Sequence, residues 1–343
     1  MVINLISPKN AASVSVLPKA QNEIIASLPN HNVGESVDWF NPSINNRDSS
    51  APTPVIFTWG FEGSLDNVVA INLYIAENDA FLDCRAYSIA PGQMYLPVTN
   101  LLIDTTYYWK MVALSYEGPI YETAAQTFYV ENTMPQWFYV KGSTNLRDAG
   151  GWNTKDGKKM RFGMIYRGAE LDNNFIATRN DIAFFTNRLK IKTDLDFRTY
   201  KNSEISYSTP IPNARLVNIP ISAYAEIDFE EQKPLFKKIF EILACESNYP
   251  IFMHCIAGAD RTGTVIILLK ALLDIDTEDI LHDFELTSLS VFGFRSRYQS
   301  FMRAFFEMMQ KYGSTLKEQA ENYLLSCGVT KSDLEKIVKI LKV

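Results

Sequence analysis

The stretch that most restricts how this chain can fold is "YPIFMHCIAGADRTGTVIILLKALL", residues 249–273. An apolar strand pattern, "YPIFMH", runs into three small residues, Ala257, Gly258 and Ala259, and an apolar helix pattern, "RTGTVIILLKALLD", runs out. A loop that leaves a strand and enters a helix aims several backbone N–H groups at one point, and the helix N-terminus adds partial positive charge there. The small residues, with Ile256 before them, let a ligand approach the backbone closely. Arg261 adds a planar fork of donors that matches a tetrahedral oxyanion. Together these features describe a phosphate cradle.

Cys255 stands at the floor of that cradle. The same N–H groups and Arg261 stabilise a thiolate. A thiolate beneath a bound phosphorus can attack in line and form a phosphocysteine. The leaving oxygen then needs a proton, for which Asp260 is the nearest donor, and the same carboxylate can afterwards activate water. Thr262 is placed to donate its hydroxyl to the cysteine sulfur, and His254 to orient the loop through hydrogen bonds. A cysteine followed by glycine at three, arginine at six and Ser/Thr at seven arises by chance in roughly one chain in several hundred.

The sequence changes character near residue 134, and a length of 343 residues favours two domains. Before that point come short alternating segments: "VIFTWG" (55–60), "VVAINLYIAE" (68–77), "TYYWKMVAL" (106–114) and "AAQTFYV" (124–130). Val69, Ile71, Leu73 and Ile75 share one face, the period of a half-buried strand. Several such strands at short spacing predict an antiparallel β-sandwich over 1–134. A polar stretch, 28–54, reads as a long surface loop. After residue 134 strands alternate with helices: a helix over 179–189, a strand over 190–197, and a helix over 230–245 with Leu235, Ile239, Ile242 and Leu243 on one side. Further helices are expected to the end of the chain, one of them over 311–328 with Ser314 as N-cap and Gly328 past its end. This order predicts an α/β domain with a mainly parallel sheet over 135–343.

Composition narrows the function. The net charge is −6, which argues against gripping nucleic acid as the main task. No apolar run reaches the length of a membrane span, and no signal peptide is visible at the start. The protein is expected in the cytoplasm if Met1 is its native start, and exported if a leader has been removed. Cys84, Cys245 and Cys327 read as small buried hydrophobes. Three histidines make little of a metal site, and His254 and His282 lack a ligand spacing. No metal or other cofactor is expected, because Arg261 and the loop amides carry the transition-state charge.

"HCIAGADRTG" resembles the signature of cysteine-dependent tyrosine phosphatases. With aspartate directly before the arginine, it is similar to the bacterial tyrosine and phosphoinositide phosphatases whose loop reads HCxxGKDRTG. "NLRDAGGWNTKDGKKMRFGMIYRGAEL" (145–171) resembles that family's opening segment through Asn145, Arg147, Asp148, Gly150, Gly151 and Arg167. "TDLDFRTYKNSE" (193–204) resembles its central strand through Asp196, Phe197 and Arg198, and "IPI" (219–221) and "DILHDFELTS" (279–288) also fit. The resemblance implies a cysteine-phosphatase fold with Cys255 as nucleophile, Arg261 as phosphate binder and Asp260 as general acid. Asp194 and Asp196 are alternative acids. Arg167 is a possible pocket residue, and Arg198 either lines the pocket or ties strand ends together. The aromatic segment 290–310 is either a helix packed on the core or a lid with Phe292 or Phe294 beside an aryl ring. The family's loop lysine is Ala259 here, which favours a phosphotyrosine protein or peptide over a phosphoinositide. Capture of phosphorylated ligands without turnover is the alternative of another class.

The earlier half resembles a fibronectin type III module. "LLIDTTYYWKMVA" carries the likeness through Leu101, Thr105, Tyr107, Trp109, Met111 and Ala113, with Trp59 as the early core tryptophan. Ile103 and Asp104 stand where that family has a proline–glycine turn. The likeness implies a corner tyrosine, Tyr107, whose hydroxyl bonds back to upstream backbone, and a module that serves as a spacer or docks a protein partner.

Overall fold

The structure, a computed structural model, describes residues 1–27, 48–90, 92–199 and 209–343. The chain divides into two compact units. One is Met1–Leu17 with Pro52–Met134, the other Pro18–Ala51 with Pro135–Val343. A simple division at residue 134 therefore leaves out an excursion: residues 18–51 go with the second unit. Most of the expected loop 28–54, and Lys201 to Glu204 of the "TDLDFRTYKNSE" motif, lie outside the described residues. The remainder of that loop is not all surface. Ser50 is buried, and the Ser49 N–H donates to Leu289 O at 2.8 Å.

The first unit is built of strands β1 (Val2–Ser7), β2 (Ala12–Val14), β3 (Val55–Glu62), β4 (Ala70–Ala76), β5 (Arg85–Ile89), β6 (Tyr95–Val98), β7 (Thr105–Ser115), β8 (Gly118–Glu122) and β9 (Gln126–Val130). Among the described residues they form one sheet of order β1-β3-β6 and one of order β2-β9-β7-β4-β5, with β8 beside β7. The sheets meet through aromatic side chains. Phe57 of β3 stands edge-on to Trp109 of β7 at 5.0 Å and to Phe128 of β9 at 5.5 Å. The alternation in β4 turns Ile71, Leu73 and Ile75 inward, but Val69 precedes the strand and is exposed. Tyr107 Oη accepts from Leu102 N–H at 2.8 Å, which secures the chain as it enters β7.

The second unit begins with α1 (Lys19–Ser27). It continues through β10 (Arg147–Asp148), β11 (Ile165–Gly168), α2 (Arg179–Ala183), β12 (Thr193–Asp196), β13 (Arg215–Asn218), α3 (Lys233–Leu243) and β14 (Ile251–His254). It ends with α4 (Asp260–Leu272), α5 (Thr277–Glu285), α6 (Ser300–Met309), α7 (Leu316–Ser326) and α8 (Lys331–Leu341). The sheet order is β10-β11-β14-β12-β13. Its last four strands are parallel and the short β10 runs antiparallel to β11, so the sheet is mixed. β14 lies at its centre and is buried along its whole length. From Thr262 to Leu272, α4 is buried all round, which explains why its sequence is apolar without a polar face. The parallel register sets His254 opposite Gly168 on one side and Asp196 on the other. Three strand ends thus converge where the loop begins.

Several expectations need correcting. The helix expected over 179–189 is the short α2 followed by a π-helical turn at Phe184–Arg188. The N-cap of α7 is Thr315, not Ser314: Thr315 accepts from Glu318 N–H while Glu318 accepts from Thr315 N–H, so Glu318 three residues on selects the capping hydroxyl. Cys327 is buried, but Cys84 is only half-buried. Cys245 is exposed beyond the end of α3, with its sulfur 3.2 Å from Ser247 Oγ. No helix among the described residues is long and apolar enough to cross a membrane.

Candidate active site

Residues 255–259 link β14 to α4. Gly258 has φ +63°, in the left-handed region, and a Cβ there would stand 2.1 Å from Gly168 O. Only glycine permits this turn against β11. The loop's carbonyls face the protein. Asn145 Nδ2 donates to Ala257 O at 3.1 Å, Arg167 Nη2 to Gly258 O at 2.7 Å, and Glu170 N–H to Ile256 O at 3.2 Å. Cys255 is buried at its start, and Ile256 is exposed at the rim. Arg261 is half-buried, and its Nη1 donates to Phe197 O at 3.3 Å, so the end of β12 steadies the guanidinium. The Ala259 side chain is buried, with no cation in its place.

Two charge clusters flank this loop, buried except for Asp172 at the edge of the second. The first gathers three cations on one carboxylate. Arg147 Nε donates to Asp283 Oδ1 at 2.8 Å, Arg167 Nη1 to Asp283 Oδ2 at 3.1 Å, and Lys270 Nζ lies 2.9 Å from Asp283 Oδ2. Burial would push the Asp283 carboxyl up, but Arg147, Lys270 and Arg167 together hold it well below the usual range. Burial likewise lowers Lys270, to about 8, and Asp283 only partly offsets this. The second cluster gathers three carboxylates on one guanidinium. Arg198 Nη1 donates to Glu170 at 2.7 Å and to Asp172 at 2.6 Å, and Arg198 Nη2 donates to Asp196 at 2.9 Å. Next to it His254 Nε2 lies 3.0 Å from Asp194 Oδ1, and His254 Nδ1 is 3.3 Å from Cys255 O. Burial would lower His254, but the Asp194 carboxylate, with Asp196 further off, raises it to about 9. The histidine is therefore cationic at neutral pH.

These placements revise several expected site residues. Arg167, Asp196 and Arg198 are buried and paired, behind or beside the loop and not in an open pocket. Asp194 is buried too, held by Thr209 Oγ1, which donates to its Oδ2 at 2.5 Å. Phe294, half-buried, packs against the core cluster of Trp137, Leu286 and Leu289. Phe292 meets Phe175 edge-on at 5.5 Å. The segment 290–310 is helical only in α6, which buries Met302, Phe305 and Met309. The Thr262 hydroxyl is buried without a hydrogen-bond partner, so it makes no bond to the cysteine sulfur. The hydroxyl that ties this turn is Thr264, which accepts from Tyr224 N–H at 3.0 Å and donates to Asp260 O at 2.9 Å.

Asp260 has partners that the sequence pattern did not single out. Arg295 Nε and Nη2 donate to its two carboxylate oxygens at 2.9 and 3.0 Å, and the Tyr224 hydroxyl donates to Oδ1 at 2.5 Å. Burial would raise this carboxyl, but Arg295, Tyr224 and Arg261 keep it below its ordinary range. Tyr224 lies on a 3-10 turn, Tyr224–Asp228, with φ +56°, an unusual conformation for a bulky residue. Arg295 lies on the loop before α6. Arg295 falls within the aromatic segment 290–310 and Tyr224 just after "IPI" (219–221), and neither motif marked them as partners of Asp260.

Residues 138–343 match the model of the tyrosine phosphatase family. A tyrosine-protein phosphatase of Nostoc commune is 32% identical over 56 residues, 16% of this chain and 19% of that protein. The chain's match thus spans about a fifth of the length of this curated relative. Among solved structures, the core catalytic domain of the PP-IP phosphatase SIW14 from S. cerevisiae is 19% identical. It covers 50% of this chain and 88% of its own, at a TM-score of 0.34. OH1 from the Orf virus, a tyrosine phosphatase, is 16% identical with a TM-score of 0.21, covering 49% of this chain and 83% of its own.

Proposed function

The chain belongs to the tyrosine phosphatase family, and from that premise we propose that it hydrolyses phosphomonoesters, phosphotyrosine in proteins foremost, through a phosphocysteine on Cys255. The observation that carries this reading is the single turn from β14 to α4. It holds Cys255 at its base and Arg261 at its end, with Gly258 in the one conformation that lets the loop close.

The reaction takes two displacements. The Cys255 thiolate attacks phosphorus, the S–P bond forms and the P–O bond to the leaving group breaks. Arg261 and the loop N–H groups hold the equatorial oxygens as charge builds on them. Asp260 gives its proton to the departing oxygen. In the second displacement it takes a proton from water, whose oxygen bonds to phosphorus as the thiolate leaves with inorganic phosphate as product. Asp194 and Asp196 are less suited to this work, because both are buried and engaged with other side chains. Asp260 is ionised in the resting state. It is ready for the second displacement and must gain a proton before the first.

The proposal extends to organisation. We read 1–134 as a fibronectin III-like module and 135–343 as the catalytic domain, with the excursion 18–51 as an arm of the latter. The Tyr107 hydroxyl, bonded to a backbone amide five residues upstream, supports the module reading. Such a module suits protein docking or spacing.

A substrate panel tests the activity. Phosphotyrosine peptides, p-nitrophenyl phosphate and inositol phospholipids are compared, with Cys255→Ser as control. Peptide turnover that vanishes in the control is expected. A clear preference for the lipids overturns the substrate class, and full turnover by Cys255→Ser overturns the mechanism.

A further inference from the structure

We propose that Arg295 is a positioning residue for this reaction: with Tyr224 it clamps the Asp260 carboxylate in one orientation at the loop and governs when that carboxylate carries a proton. The inference rests on the two-step reading above and adds a device to it.

The clamp is built, not incidental. Arg295 donates to both oxygens of Asp260, and Tyr224 adds a third donor on Oδ1. Oδ1 thus takes two donors, while Oδ2 takes one and keeps a lone pair for a proton or a water. Both clamping residues are themselves fixed. The Arg295 N–H donates to Ser288 Oγ, whose hydroxyl donates back to Arg295 O, both at 2.9 Å. Tyr224 is tied through its N–H to Thr264, one turn along the same helix as Asp260, and its ring lies 4.4 Å from that of Phe301. A bulky residue held at positive φ is strained and persists only where its surroundings enforce it. Here that conformation delivers the hydroxyl to Asp260. Such support from surrounding groups lets a reacting carboxylate keep its aim through two displacements.

The charged and titratable groups around Asp260 come from three directions. Arg295 approaches from the loop before α6, Tyr224 from the 3-10 turn, and Arg261 and Cys255 from the phosphate loop itself. Arg295 and Arg261 are the cations among them. Arg295 is the one that contacts the carboxylate directly, so its removal frees the orientation and eases protonation together. A residue that merely supported the fold would do neither selectively.

The test is kcat/KM against pH on a phosphotyrosine peptide, whose phenolic leaving group needs the proton. Wild type, Arg295→Gln, Arg295→Lys, Tyr224→Phe, Asp260→Asn and Cys255→Ser are compared, with thermal melting to confirm folding. In wild type the rate falls on the alkaline side as Asp260 loses its proton, and Asp260→Asn lacks that limb. Arg295→Gln is expected to move the limb up by about 1–2 pH units and to lower the maximal rate. Arg295→Lys should lie between the two, and Tyr224→Phe should move the limb less in the same direction. A folded Arg295→Gln protein whose limb stays in place overturns the proposal, as does a uniform loss at every pH. So does a limb that survives Asp260→Asn. If Arg295→Gln does not fold, the limbs of Arg295→Lys and Tyr224→Phe decide. Turnover by Cys255→Ser is a separate outcome that removes the two-step reading itself, so the two failures are distinguishable.

Discussion

Two clusters, largely buried, stand beside one loop with opposite excesses of charge. Around Asp283, Arg147, Arg167 and Lys270 outnumber one carboxylate, whereas around Arg198, Glu170, Asp172 and Asp196 outnumber one guanidinium. The difference lies in what each can do when its centre is lost. Carboxylates left without a cation can take up protons and become neutral. Guanidinium groups cannot lose theirs at ordinary pH, so of the cationic cluster only Lys270 can become neutral, and Arg147 and Arg167 stay charged. The cationic cluster also reaches the loop directly, through Arg167 and the Gly258 carbonyl. Its positive charge lies behind the loop proposed to bind phosphate.

The largest expected effect comes from removing the cationic cluster's centre. Asp283→Asn leaves Arg147 and Arg167 buried without a counter-charge, and the second unit should lose about 3–5 kcal/mol of stability. In urea unfolding the part of that loss owed to Lys270 should shrink as pH rises from 6 to 8 and its ammonium gives up a proton, while the part owed to the two arginines should persist. A variant that unfolds like wild type would show that the cluster is not held as a charged unit.

Arg198→Met is the matching change on the other side. Near pH 8 it should cost about 2–4 kcal/mol, and the cost should shrink as pH falls and the stranded carboxylates take up protons. Urea midpoints measured from pH 8 down to pH 5 check this. A pH-independent cost would erase the distinction between the two clusters.

The smallest effect belongs to His254. Its folded pKa, raised to about 9 from 6.5, means that the folded state binds more protons between those values. Its contribution is therefore complete below pH 6.5 and is lost as pH rises toward 9. The slope cannot exceed about 1.4 kcal/mol per pH unit for one proton, and His254→Gln should flatten it. Equal slopes in the two proteins would place the histidine's charge elsewhere.

The comparison also shows what a sequence can reveal. Cys255 to Arg261 are contiguous, so their chemistry was legible as a string, and the strand and helix around them are plain apolar runs. Arg147, Arg167, Asp196 and Arg198 were visible as motif positions, but their partners were not. Arg147 meets Asp283 across 136 residues, and Arg295 meets Asp260 across 35. No local period records such pairings, because packing of the second unit creates them. The antiparallel β10 escaped for another reason: two residues carry no alternation to read. The Thr315 cap was legible in principle through Glu318, three residues along.

The central claim is that phosphate passes through Cys255. Its most direct test mixes the protein with excess p-nitrophenyl phosphate, quenches in acid within milliseconds, and locates phosphate by mass spectrometry of the peptides. A phosphate adduct is expected on the peptide that contains Cys255, appearing with the first burst of nitrophenol and absent from Cys255→Ser. Rapid turnover in which no adduct forms on that peptide, or an adduct that forms equally in Cys255→Ser, would contradict it.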